Sequence, residues 1–508
     1  MNKLYQFAFS VLQKVMLILA LHWVFSAFWQ LSNIVSFIGS LLLVLLICLL
    51  FWKFPAFFKK SYEWLMRHKL GLMFAVVIFQ VAVLLSAELL IRRDAAVVFT
   101  GAFGYLKESS ISSYLTRNPN NIPLFLYERF FFKLFGATGL WVMQGLNIFY
   151  ADITAGILYW GTRKYFNQQV ANKVFSFYIL LLGFSPFFMA MYTDIMILPL
   201  VSSQLFLALA LLKEEKTLDL SKAVLLGLVT ALAMIFRPTV LIVLIALFVI
   251  LFFIKSWKRC LLTMAIVGLA FTIPYGVARY AVKHQTEIPL VEGKGLAKGP
   301  LLFINLGLTD TGTDQEDMKD GLLQYIDPEQ RKIYNNGMFA TENVIKEIKR
   351  RLSEYTPWTF FLHSEYKQRW NVMDGTLDWI YYENAKAEKT PYISPLYPMI
   401  EGNPVTDFIR SHFISYDDSN YVPFAAVKQL VWILMSVGLV FALWKFRPED
   451  KELNFLSLAV FGGLLFLTIF EGGKTRYLIQ FLPQILLLSS LGLTYYPIKW
   501  QGSKRKNS

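Results

Sequence analysis

A succession of apolar runs of about 17–22 residues, such as Ile34 to Leu50 and Phe455 to Phe470, constrains this chain more than any other feature. At about 1.5 Å of rise per residue, a helix of that length crosses the roughly 30 Å hydrocarbon core of a bilayer. Helices in the core of a soluble protein seldom need so many apolar residues in succession. Composition agrees: of 508 residues, 56% are hydrophobic and 17% charged, against about 25% charged in soluble domains. The runs predict an all-α polytopic membrane protein with about 12 transmembrane helices. They fall at about 9–29, 33–52, 71–91, 139–160, 174–191, 195–212, 222–236, 239–254, 260–280, 422–443, 454–470 and 477–496.

The net charge of +14 is unevenly placed. Between Lys283 and Asp418 there are 15 Lys and Arg against 21 Asp and Glu, a charge of −6, which leaves +20 on the remainder. A uniformly basic surface would suggest nucleic acid; a basic remainder confined to short loops suggests the positive-inside rule. Lys53, Lys59, Lys60, Arg67 and Lys69 follow the second helix, and Arg163, Lys164 and Lys173 follow the fourth. Lys255, Lys258 and Arg259 follow the eighth, Lys445, Arg447 and Lys451 the tenth, and Lys504, Arg505 and Lys506 close the chain. Twelve crossings put all of these on one side with both termini, and that side is predicted to be the cytoplasm of a multi-pass cell-membrane protein.

Residues 1–282 then hold nine helices with an interfacial outer loop at 92–138. Residues 283–421 form an extracytoplasmic, α-rich or mixed domain inserted before the last three helices. Residues 422–508 hold those helices and a basic cytoplasmic tail. Ile122 to Gly136, interrupted by Glu128, Arg129 and Lys133, reads as an amphipathic helix in the outer interface, and Ala95 to Leu115 as another. In the outer domain Thr341 reads as an N-cap, with Val344, Ile345, Ile348 and Leu352 on one helical face. The first apolar run lacks a small-residue cleavage site and reads as a retained helix. Cys48 and Cys260 imply neither a disulfide framework nor a metal site.

With that topology, several polar groups fall on the outer face: Asp94 after Arg92 and Arg93, Asn120 and Asn121, Tyr192 and Asp194, Arg237, and the turn Glu471, Lys474, Arg476, Tyr477. Each alone has a plain explanation as a helix-end charge, a tight turn or a snorkelling side chain. Together they describe a polar cavity with a carboxylate and several cations. That set suits transfer of a sugar from a lipid phosphate. Cations hold the phosphate as charge develops on it, and a carboxylate takes the proton of the acceptor hydroxyl. No glycine-rich phosphate loop or Asp-x-Asp motif occurs on the cytoplasmic side, and no cofactor is expected, with a divalent metal left open but not indicated by any ligand set.

The order of these segments resembles the GT-C superfamily of integral membrane glycosyltransferases. Within it the chain is most similar to the firmicute branch related to the protein O-mannosyltransferases (family 39-like). The likeness rests on Arg-Arg-Asp-Ala-Ala-Val-Val around Asp94, Asn-Pro-Asn-Asn-Ile-Pro at 118–123, Tyr-Thr-Asp at 192–194, Arg-Pro-Thr at 237–239 and Glu471 through Tyr477. It also rests on Leu306-Gly307-Leu308 with Gly312, and on Lys367, Trp370 and Asp374-Gly375-Thr376. The resemblance implies that Asp94 is the general base, that Arg476 and Lys474 hold the donor phosphate, and that Asn120, Asn121, Tyr192, Asp194, Arg237, Trp370, Asp374, Glu471 and Tyr477 contribute to substrate binding. It implies an inverting transferase with a polyprenyl-phosphate sugar as donor and a cell-wall polymer, teichoic acid or glycolipid as acceptor. A lipid-linked oligosaccharide flippase or transporter and a polysaccharide polymerase are the competing readings. A transporter would place charged sites near the midplane of related halves, and the halves here show no such symmetry.

Overall fold

The computed structural model of the chain describes residues 3–91, 93–214, 218–381, 394–444 and 449–495, with the side chains of Arg93 and Asp94 outside that description. Among the described residues there are helices and no strands. The chain opens with α1 (Lys3–Val35), α2 (Phe37–Lys53), α3 (Pro55–Arg67) and α4 (Lys69–Ser86). Three shorter helices follow, α5 (Arg93–Ala102), α6 (Glu108–Arg117) and α7 (Ile122–Phe135). The bundle continues through α8 (Gly139–Tyr165), α9 (Gln168–Tyr178), α10 (Thr193–Met196), α11 (Leu198–Lys213), α12 (Leu220–Phe236), α13 (Leu241–Ile254) and α14 (Trp257–Lys283). Between α14 and the last long helices lie α15 (Pro300–Gly307), α16 (Gln315–Leu323), α17 (Thr341–Glu354), α18 (Pro357–Val372), α19 (Tyr397–Ile400) and α20 (Pro404–Ile409). The chain closes with α21 (Val422–Trp444), α22 (Lys451–Ile469) and α23 (Leu482–Tyr495).

Seven of the described helices are long and apolar enough to cross a membrane. The α2–α3 pair, bent by 90°, would make an eighth, and α12 and the stretch Pro238–Ile254 that contains α13 are shorter apolar helices. Two of the expected runs depart from α-helix before their predicted ends. The run expected at 71–91 leaves helical geometry after Ser86. Residues 87–91 are not helical, and distant segments bond the backbone here: Tyr381 Oη bonds Leu89, the Ser394 backbone N–H donates to Glu88 O at 2.7 Å and Arg410 donates to Ser86 O at 3.1 Å. The run expected at 174–191 is α-helical only to Tyr178, then forms a π turn over Ile179–Gly183 and a 3-10 turn over Pro186–Ala190. Proline at 186 cannot donate to an α-helical ladder, and carbonyls loosened by the π turn need other donors. Lys428 of α21 supplies them, its Nζ bonding the carbonyls of Leu180, Leu181 and Phe184.

Long-range bonds sort the helix ends into two sets. At one end Lys213 reaches Tyr165 O, Asn167 donates to Tyr495 Oη at 3.0 Å, Lys173 to Thr494 Oγ1 at 3.0 Å, and Asn454 pairs with Tyr5. Arg163, Lys164, Lys255 and Arg259 belong to this end. At the other, Gln144 donates to Leu90 O at 2.8 Å and Arg237 to Thr193 Oγ1 at 2.7 Å. Neighbouring helices approach closely where side chains are small. A Cβ on Gly492 of α23 would lie 2.0 Å from Gly438 O of α21, and one on Gly438 would lie 2.3 Å from Ser489 Oγ.

Residues 283–421 divide between two cores. Leu302, Leu306, Met318, Leu322, Met338 and Val344 form a separate cluster across α15–α17, whereas Val372, Trp379, Tyr381 and Ile414 pack into the main bundle. Thr341 is the first helical residue of α17 and not its N-cap; Ala340 holds that position without a side-chain bond. The buried face of α17 is Val344, Glu347 and Arg351, while Ile345 and Leu352 are exposed. Arg351 pairs with Asp317 of α16 at 2.8 Å, which turns this face toward α16.

The stretch 95–115 is two helices, α5 and α6, joined by an exposed turn at 104–107. α5 buries Val98 and Phe99 completely, and α6 is covered by the chain after α14, with Val291 N–H bonding Thr116 Oγ1 at 2.9 Å and Lys298 N–H bonding Arg117 O at 3.0 Å. α7 buries Ile122, Leu124, Phe125 and Glu128, while Phe130, Lys133, Leu134 and Phe135 are exposed. Burial holds the Glu128 carboxyl well above the usual carboxylate range.

Candidate active site

At the end opposite the basic clusters, four separate pieces of chain border an open pocket of ≈ 610 Å³ counting its mouth. Its walls are residues Leu89–Ile91 with Ala95 of α5, the turn Phe187–Ala190 with Tyr192 and Asp194, the loop Asp378–Tyr381, and Arg476. Most of the lining is apolar, with polar groups at a few points, as in small-molecule sites generally.

Asp194 sits in the first turn of α10 and is almost wholly buried. It pairs with Arg237, which caps α12 and also donates through Nε to Thr193 Oγ1 at 2.7 Å. The Arg237 guanidinium lies 5.3 Å from the centre of the Tyr192 ring, and that of Arg476 lies 5.9 Å from the same ring. Tyr192 is thus flanked by two cations, an arrangement favoured by the ring quadrupole. Its hydroxyl donates to Asn121 Oδ1 at 2.9 Å, and Asn121 donates to Tyr114 Oη at 3.0 Å. Arg237 is therefore a partner of Asp194 behind the pocket wall. Lysine has no planar fork to reach Thr193 and Asp194 together. Arg237→Lys is expected to cost about 1 kcal/mol, one net hydrogen bond, read as a lowered unfolding midpoint in detergent.

The turn before α23 is tied to the last turn of α18 and to the loop after it. Gly473 N–H bonds Asn371 Oδ1 at 2.6 Å, Thr475 Oγ1 donates to Trp370 O at 2.8 Å, and Arg476 N–H bonds Asp378 Oδ2 at 3.0 Å. Within the turn Tyr477 Oη donates to Glu471 Oε1 at 2.8 Å. Lys367 anchors the arrangement from beneath. It is fully buried, and its Nζ donates to Gly307 O at 2.8 Å, Thr468 O at 2.7 Å and Phe470 O at 2.8 Å. Burial pushes its ammonium down to about 7, while the charge of Glu471 pulls the other way.

Asp374 belongs to the loop's own scaffold. Its oxygens accept from Thr376 N–H and Oγ1, each at 2.8 Å, and from Asp378 N–H at 2.9 Å. These bonds hold Leu377 at φ 60° and Asp378 at φ 54°. Two consecutive non-glycine residues in the left-handed region cost about 1–2 kcal/mol each, strain that the surrounding contacts offset. Burial and the neighbouring Asp374 carboxylate push the Asp378 carboxyl up, while Arg476 and Lys474 draw it back.

Of the residues singled out in the sequence, Tyr192, Asp194 and Arg476 line the pocket, and Asn121 and Arg237 support them from behind. Glu471, Lys474 and Tyr477 belong to the turn that delivers Arg476. Asn120 is exposed, and Trp370 is 39% exposed beside Tyr366, 6.1 Å between ring centres; neither lines the pocket. Arg92 and the Asp94 side chain lie outside the described residues, although the backbone of Asp94 forms the first turn of α5 next to the pocket residue Ala95. Sequence reasoning missed Asp378, whose one signal was an acid four positions after Asp374. No group of three or more His, Cys, Asp or Glu placed to hold a metal occurs among the described residues.

Fold and pocket together define an all-α polytopic membrane protein with a charged pocket at one end of its bundle. The chain belongs to the family described as conserved hypothetical integral membrane protein, whose model matches residues 1–495. No curated protein matches it. Two crystal structures of ArnT from Cupriavidus metallidurans are similar to it. The one bound to undecaprenyl phosphate shares 12% identity over 83% of this chain and 77% of that chain, with a TM-score of 0.35. The apo state shares 13% over 83% and 76%, with a TM-score of 0.32. Scores that low do not define a common fold.

Proposed function

We propose that this protein is a membrane glycosyltransferase of the GT-C type, moving a sugar from a polyprenyl-phosphate-linked donor to an extracytoplasmic glycan, teichoic acid or glycolipid. The observation that carries this reading is the meeting of Arg476, Asp194 and Asp378 in one largely apolar pocket beside the start of α5. An apolar wall suits a prenyl chain next to its phosphate, and a guanidinium presents a fork that matches phosphate oxygens. The acceptor hydroxyl attacks the anomeric carbon, the bond to the phosphate oxygen breaks with its electron pair going to the phosphate, and Asp94 takes the hydroxyl proton. Arg476, with Lys474 next to it in the chain, stabilises the charge that develops on the leaving phosphate. With the basic helix ends in the cytoplasm, the pocket faces outward, and residues 283–421 lie on that side as an acceptor-facing domain.

The test is transfer by the purified full chain in proteoliposomes, supplied with radiolabelled polyprenyl-phosphate hexoses and a wall-polymer or glycolipid extract. Label is expected to move from the lipid fraction to the acceptor. Label that crosses the bilayer while still lipid-linked would instead identify a flippase.

A further inference from the structure

We propose that Asp378 is the residue that donates a hydrogen bond to the donor phosphate in this pocket, working as a neutral acid next to Arg476. This rests on the lipid-phosphate reading above and names a recognition residue within it. Three observations carry the inference.

The carboxyl lines the pocket together with Arg476, the cation best placed there for a phosphate. One oxygen, Oδ2, already accepts the Arg476 backbone N–H at 3.0 Å, and Oδ1 has no hydrogen bond to another described residue. The side chain is also aimed: Asp374 fixes the loop through the N–H groups of Thr376 and Asp378, holding Leu377 and Asp378 in left-handed conformations that the chain would otherwise leave. Strain retained at a pocket wall marks a position whose side-chain direction matters.

Charge decides the protonation state. Among the described residues the groups around Asp378 are Asp374 on its own loop, Arg476 and Lys474 on the turn before α23, and Asp194 in the same pocket, which Arg237 pairs from behind the wall. A bound phosphate engages the cations and adds negative charge beside a carboxyl that burial and Asp374 already push toward its neutral form. An ionised Asp378 would repel the ligand, whereas a protonated one presents an O–H to a phosphate oxygen. The sign follows: binding is strong below the carboxyl's titration and falls as pH rises through it, because the bound state holds one more proton than the free state.

The experiment measures binding of a methyl ester of polyprenyl phosphate to the purified full chain in detergent from pH 5 to 9. The probe is a phosphodiester whose single charge is constant over that range, so any titration belongs to the protein. Wild-type affinity is expected to fall by about tenfold per pH unit on the alkaline side. Asp378→Asn keeps an N–H donor of the same shape and is expected to bind within a few-fold of wild type at pH 5 with a flat profile. Asp378→Ala is expected to bind about tenfold more weakly at pH 5. An alkaline fall that persists unchanged in Asp378→Asn, or a flat wild-type profile, overturns the proposal while leaving lipid-phosphate binding intact. No binding of the probe by wild type overturns both. Equal competition by phosphatidylglycerol, with the Asp378-dependent profile retained, supports the phosphate contact and assigns it to a membrane headgroup.

Discussion

Asp94→Asn is expected to lower sugar transfer by about 10²–10⁴-fold, the span usual for loss of a positioned general base. The substitution is nearly isosteric and removes the one property the mechanism requires, the ability to accept the acceptor's proton. α5 begins two positions after Ile91, and Leu89 and Leu90 are held by Tyr381 and Gln144. Those contacts do not involve Asp94, so the variant leaves them untouched. Protein level, the unfolding midpoint and binding of the phosphodiester probe should stay near wild type. A loss confined to kcat is the signature of a group acting in the transition state. Unchanged transfer would remove Asp94 from the role of base and leave Asp378 and Asp194 as the carboxyls to test.

Lys367→Met is expected to destabilise the protein by about 4 kcal/mol. Methionine fills a similar volume, so the loss is one of hydrogen bonds and not of packing. Three carbonyls, of Gly307, Thr468 and Phe470, lose their shared donor in a site without access to water. Each unsatisfied buried acceptor costs about 1–3 kcal/mol, partly offset because no ammonium need be desolvated. The check is reversible unfolding in mixed micelles. The pH dependence supplies a second readout. The folded state holds the Lys367 ammonium at about 7, below its ordinary value, so above that pH the unfolded chain binds more protons than the folded one. Wild-type stability gains a contribution as pH rises from about 7 toward about 10, and the variant lacks it. Loosening this anchor also frees the turn that carries Arg476, so transfer should fall even in membranes where the variant remains folded. Wild-type stability in the variant would show that the three carbonyls find other donors.

Much of the path was legible because a bilayer imposes a length and a composition on every crossing. The runs located α1, α4, α11, α14, α21 and α22 to within a few residues at most of their ends. What failed were places where polar groups from far along the chain replaced helical hydrogen bonds. Residues 87–91 leave the helix where Tyr381 and residues beyond 390 bond the backbone, and the π turn at Ile179–Gly183 relies on Lys428, about 250 positions away. Thr341 looked like a cap because threonine favours that position, but the helix starts at it. The buried face of α17 includes Glu347 and Arg351 because ion pairing overrode apolar periodicity.

The sequence by itself determined that the chain is an all-α membrane protein, that the basic residues Arg163, Lys164, Lys255 and Arg259 gather at one set of helix ends, and that Tyr192, Asp194 and Arg476 belong to the other; the clusters at 445–447 and 504–506 lie outside the described residues. Those properties follow from local hydrophobicity and from alternation along the chain, which leave a record in residue order. Only the tertiary structure decided which of the polar groups share a pocket. Arg237 turned inward to neutralise Asp194, Asp374 became scaffold, Trp370 stayed outside, and Asp378 came to rest against Arg476, 98 positions away. No periodicity encodes contacts at that separation. They arise when buried polar groups, denied water, must find one another across the fold.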